Sequence, residues 1–70
     1  MYYVCLSLSG FDSYGVIYFD TILQMGFKTL AGAFNQFAEF QKMKFLPTHG
    51  VEKYLHIEHG GNTLKVARVA

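Results

Sequence analysis

The sequence predicts an α+β fold in which a four-stranded, mainly antiparallel sheet packs against one amphipathic helix in the order β-β-α-β-β. Three stretches carry this. "YYVCLSLS" at residues 2–9 alternates in side-chain character, "LAGAFNQFAEFQKMKF" at residues 30–45 repeats aromatics at helical spacing, and "VEKYLHIEHGGNTLKVARV" at residues 51–69 sets two alternating runs on either side of paired glycines. Residues 1–70 are read as one small domain, near the lower size at which a single core stabilises a fold.

In the first strand Tyr2, Val4, Leu6 and Leu8 share one face, and Tyr3, Cys5, Ser7 and Ser9 share the other. Successive side chains of a strand point to opposite sides, so this pattern is that of a half-buried strand. "GFDSYG" follows with turn-forming residues. The next segment, "VIYFDTIL", has two readings. Val16, Ile17, Tyr18, Phe19 and Thr21 favour a strand that completes a hairpin with the first. A helix N-capped by Asp12 and ended by Gly26 also fits the spacing of Tyr14, Tyr18, Ile22 and Met25, which would make the order β-α-α-β-β. Gly15 and the β-branched run weigh against the helix.

Thr29 is a suitable N-cap for a helix over residues 30–45. At about 100° per residue, Leu30, Ala33, Phe34, Phe37, Ala38, Phe40 and Phe45 fall on one half of that helix. Asn35, Gln36, Glu39 and Lys42 fall on the other, and Pro47 stops it. The Phe stripe is read as packing on the sheet, with Phe37 at its centre. In the last hairpin, Val51, Lys53, Leu55, Ile57 and His59 face one way, and Glu52, Tyr54, His56 and Glu58 the other. A two-residue Gly60-Gly61 turn pairs Ile57 with Leu64 and Leu55 with Val66, at the cost of setting Lys53 opposite Arg68. Lys65, Ala67 and Val69 are then expected on the face away from Leu55 and Ile57.

Composition narrows the function classes. Apolar residues make up 51% of the chain and aromatics 17%, including seven Phe and five Tyr. So small a body has little interior, which implies surplus apolar surface and an association partner. The formal charge is +1, against a dedicated polyanion binder, although Lys42, Lys44, Lys53, Lys65 and Arg68 make residues 41–70 mildly basic. The lone Cys5 cannot close an internal disulfide and suits a reducing compartment, so the expected location is cytoplasmic. The N-terminus lacks a signal-peptide pattern and no apolar run approaches the roughly 20 residues of a membrane span.

"HIEHGG" at residues 56–61 is the nearest approach to a chemical motif. His56 and His59 are separated by an odd number and so project from opposite faces of a strand, which prevents joint chelation. His56 and Glu58 share a face, but two ligands fall short of the three or four a metal needs. The glycines lead into another strand and not into a helix N-terminus, so they do not cradle phosphate. Cys5, Ser7 and Ser9 have no evident activating base, and no enzyme, cofactor or metal is expected.

Two binding functions remain. Tyr54, His56, Lys65 and Arg68, with Tyr3, are the candidate contact residues on the sheet. They suit a protein partner anchored by aromatics, or a single-stranded nucleic-acid or small regulatory role in which aromatics stack bases and cations meet phosphates. No RNP-like motif accompanies the second reading. A homodimer is also expected, because apolar residues lie on both sheet faces (Val4, Leu6 and Leu8 on one; Val69 with Phe19 or Tyr18 on the other) and one helix covers only one. In type, a compact aromatic-rich domain without catalytic residues resembles small phage or mobile-element proteins, including anti-CRISPR-like inhibitors. That resemblance implies occlusion of a surface on a host complex.

Overall fold

The computed structural model describes residues 1–70 as β1 (Tyr2–Phe11), β2 (Ile17–Phe27), α1 (Leu30–Lys42), β3 (Val51–His59) and β4 (Asn62–Arg68). The order is β-β-α-β-β, and the ambiguous segment is a strand. The sheet runs β2-β1-β3-β4 with every neighbouring pair antiparallel. Helix α1 crosses one face, joining β2 to β3 over the top of β1.

Local chemistry sets each boundary. Asp12 Oδ1 accepts from the backbone N–H groups of Tyr14 (2.9 Å) and Val16 (3.0 Å), which closes the first hairpin. Thr29 is extended and its hydroxyl accepts from Gly32 N–H at 3.1 Å, capping α1 as the sequence predicts. Gly60 and Gly61 have φ of 57° and 80°, the left-handed pair that a tight two-residue hairpin turn demands. The helix is one turn shorter than predicted. It closes at Lys42, where the Met43 N–H reaches back to Phe40 O at 3.1 Å, and the chain turns toward β3 before Pro47 is met.

The core lies between α1 and the sheet. Val4, Ala33, Phe37, Leu55 and Ile57 are fully buried, and Tyr2, Leu6, Phe27, Phe40, Ala67 and Val69 pack around them. Phe37 has no exposed surface and is the largest of the buried side chains. The apolar stripe is narrower than the periodicity implies: Leu30 and Phe34 remain 37% and 38% exposed at its flank.

Two bulges interrupt the pairing, and the second corrects the predicted register. In β1–β2 the pairing shifts between Leu6 and Ser7, so Leu6 faces Leu23 while Ser7 faces Thr21. In β3–β4 the turn is the predicted one, but the pairing shifts between Ile57 and Glu58. Ile57 therefore faces Lys65, not Leu64, and Leu55 faces Ala67, not Val66. A bulge inserts one residue, so every later side chain in β4 changes face. Lys65, Ala67 and Val69 move to the helix side, and Val66 and Arg68 move to the open side. The predicted Lys53–Arg68 clash disappears, because Arg68 now faces Tyr54 and approaches Glu52 at 3.6 Å.

Replacing Phe37 with Ala is expected to cost about 3–5 kcal/mol, as large-to-small aromatic core changes do. For a domain of this size that is a large share of the whole stability. Chemical denaturation of the variant checks it, and a loss under about 1 kcal/mol would place Phe37 outside the core.

Candidate functional site

The sheet face opposite α1 has no covering element. The molecule measures 40 × 26 × 15 Å, one sheet and one helix thick. Parity along β1 and β3, with the two bulges, brings Tyr3, Cys5, Ser7, Ser9, Phe11, Ile17, Phe19, Thr21, Glu52, Tyr54, His56, Glu58, Thr63, Val66 and Arg68 to this open face.

A chain of polar side chains runs across all four strands. Thr21 Oγ1 on β2 lies 3.0 Å from Ser7 Oγ on β1, and Ser7 Oγ lies 2.7 Å from His56 Nε2 on β3. His56 Nδ1 is 2.7 Å from Glu58 Oε1, which also accepts from Thr63 Oγ1 on β4 at 2.6 Å. The carboxylate can only accept, so Nδ1 carries a proton. In the neutral ring Nε2 then accepts from the Ser7 hydroxyl, and Thr21 donates to Ser7. No buried side-chain polar atom lacks a partner. The hydrogen bond from Thr63, opposed by desolvation and reinforced by His56, holds the Glu58 carboxyl below its ordinary value of 4.5.

Sequence reasoning left Ser7 without a base; the β1–β3 register supplies His56. The result has the connectivity of a serine-histidine-carboxylate relay, so its competence as a nucleophile can be judged directly. Ser7 has no exposed surface and His56 only 6%. Ser7 also sits mid-strand, where its neighbours' N–H groups belong to the sheet ladder and none is grouped to stabilise an oxyanion. A substrate carbonyl has no approach to Oγ. Cys5, directly across from His56, is no better placed. Its burial, and secondarily the negative charge of Glu58, push the thiol above its ordinary value, the opposite of a reactive thiolate. The chain is a structural network that lets an open face carry buried polar groups without cost.

The candidate contact residues separate. Tyr3, Tyr54 and Arg68 lie on the open face. His56 does too, but it is buried beneath its neighbours and acts as a scaffold. Lys65 does not belong with them: the β4 bulge carries it to the helix side, where Nζ stands 4.9 Å from the Phe37 ring centroid and 5.3 Å from that of Phe34. Val69, expected on the open face, packs on the core. His59 stacks on Tyr2 at 4.0 Å on the helix side, so the two histidines of the motif do diverge. No group of three or more His, Cys, Asp or Glu is close enough to hold a metal.

Phe19, one of the two residues expected on this face, lies there 58% exposed, and Phe11, Ile17 and Val66, which the periodicity did not single out, complete the surface at 66%, 67% and 61% exposure. Phe19, Tyr54, His56, Glu58, Thr63 and Val66 line a shallow, open depression of about 280 Å³. The Tyr54 hydroxyl donates to Glu52, which also neighbours Arg68; that bond raises the tyrosine above its ordinary pKa. The fold and face define a small open-sheet α+β domain. Family models, curated proteins and solved structures give no match to the chain, and no helix is long and apolar enough to cross a membrane.

Two outcomes test the polar chain. Ser7→Ala deprives His56 Nε2 and Thr21 of a partner and should destabilise by about 1–3 kcal/mol. A thermal-unfolding series should show no loss for this variant if the hydroxyl is unpaired. The Glu58 contribution has a defined sign with pH. Because the folded carboxyl is held below 4.5, its stabilisation is full above that pH and is lost as pH falls through the depressed value. Glu58→Gln should flatten the acid limb of the unfolding-midpoint profile, and a parallel limb in the variant would assign the acid sensitivity elsewhere.

Proposed function

We propose that the protein is a non-enzymatic module that binds another protein through the open face of its sheet. One observation carries this: Tyr3, Phe11, Ile17, Phe19, Tyr54 and Val66 lie together on a face that no element of the chain covers. Exposed apolar surface of this kind favours burial in a partner, and aromatic side chains are the common anchors of such contacts. The sharpest form of the reading is an inhibitor of the small phage or mobile-element type, anti-CRISPR-like in its mode of action, which occludes a surface of a larger host complex.

The nucleic-acid alternative is weakened by the position of Lys65. With that lysine on the helix side, the open face holds one cation, Arg68, against Glu52 and Glu58. Backbone phosphates need the reverse balance.

A homodimer belongs to the same proposal, formed along the outer edge of β2. This strand has eleven residues, no Lys, Arg or Pro, and exposed Ile17, Phe19, Ile22, Leu23 and Met25. The other edge, β4, is guarded by Lys65 and Arg68. Unprotected edges pair with other strands, and two β2 edges would join the sheets into one. Sedimentation at tens of micromolar should give a dimer; a monomer would remove the β2 edge from the proposal.

The binding reading is tested by substitution. Phe19→Ala with Tyr54→Ala should abolish capture of a specific protein that the wild type retains from a host lysate, while circular dichroism stays unchanged. Labelled single-stranded DNA and RNA should show no tight binding by anisotropy at either low or high salt. Tight binding that falls steeply with salt would overturn the reading in favour of nucleic acid.

A further inference from the structure

We infer that the depression between Phe19, Tyr54 and Val66 is a receptor for one cationic side chain, an arginine, presented by the partner. The inference takes its ligand's carrier from the protein-binding reading; the site itself stands on its own geometry.

Glu58 forms its acidic wall. Its Oε1 is held by His56 Nδ1 and Thr63 Oγ1 at 2.7 and 2.6 Å, so the carboxylate is fixed in place before any ligand arrives. Oε2 receives no hydrogen bond from the chain, and the side chain is 31% exposed. Of the two carboxylates on the open face, Glu52 already has Arg68 at 3.6 Å, whereas Glu58 has no Lys or Arg within 4 Å. It is an oriented carboxylate that no Lys or Arg neutralises.

The remaining walls suit the rest of the ligand. Phe19 and Tyr54 supply aromatic rings and Val66 an aliphatic surface around a volume of about 280 Å³. That volume has room for a single long side chain. Guanidinium groups stack on aromatic rings while donating to carboxylate, and their alkyl stems cover apolar surface. An ammonium is a compact, strongly hydrated charge and gains less from the rings. Anionic ligands are disfavoured because no Lys or Arg lines the depression and Glu58 does.

Titration of isotope-labelled protein with N-acetyl-argininamide, followed by NMR, tests this directly. The citrulline analogue, which keeps the shape and loses the charge, is the control. Shifts centred on Tyr54, Glu58, Thr63 and Val66 are expected, with dissociation constants on the order of 1–10 mM for so small a probe. The lysine analogue should bind more weakly. Glu58→Gln should weaken arginine binding by roughly tenfold or more, the scale of a charge-assisted hydrogen bond. Phe19→Ala removes an exposed wall that makes no hydrogen bond to the polar chain, although its ring lies 5.9 Å from that of His56, and should weaken binding if the glutamine variant proves unstable. Equal response to citrulline, shifts elsewhere on the molecule, or none at tens of millimolar would overturn the inference. Protein capture that survives Glu58→Gln but fails with Phe19→Ala and Tyr54→Ala would leave the binding reading standing and remove only the arginine receptor.

Discussion

One helix laid on a four-stranded sheet can cover only one of its faces, and the rest of this structure follows from that constraint. The covered face takes Val4, Leu55 and Ile57 against Ala33 and Phe37, and these five residues are the whole fully buried cluster. The other face must stay ordered without a second apolar layer. It does so with hydrogen bonds. The Thr21–Ser7–His56–Glu58–Thr63 chain crosses from one edge strand to the other and satisfies each group it buries. A slip of any strand by one residue would break a link, so the chain also specifies register.

The same economy explains how relay-like connectivity arises around a buried serine. Small hydroxyls fit beneath neighbouring rings in the middle of a sheet, and a histidine on the adjacent strand is within reach of both a hydroxyl and the carboxylate two residues on. Connectivity alone does not make a nucleophile: access and an oxyanion site are also needed, and Ser7, fully buried in β1, has neither. What the chain does provide is a rigid floor. Glu58 is held from two sides, and the aromatic surface above it is presented on strands, not on a mobile loop. Rigid presentation lowers the ordering cost of binding.

The bulge in β4 changes the character of the open face more than any other local feature. Without it Lys65 would stand beside Tyr54 and His56, and the open face would look basic and aromatic. With it, Lys65 covers the Phe34 and Phe37 rings, Ala67 and Val69 join the core, and Arg68 reaches Glu52. Each of these changes is favourable, and the like-charge contact with Lys53 is removed. Their sum opposes the loss of the Leu55–Val66 and Ile57–Leu64 pairs that the straight register would have made.

Alternation and helical period were enough to determine every element but the second, which they left between strand and helix, together with the Thr29 cap, the glycine turn at residues 60–61, the burial of Phe37 and the divergence of His56 from His59. These depend on neighbours within a few residues, where side-chain direction follows from backbone geometry. The short end of α1, the two bulges, the bond from Ser7 to His56 and the side on which Lys65 and Val69 lie were decided only by the tertiary structure. A bulge has no local signature here, because its cost is offset by contacts with β3 and α1, remote in the chain. The pairing of residues 7 and 56 likewise exists only once β1 lies between β2 and β3, a placement that strand pattern does not encode.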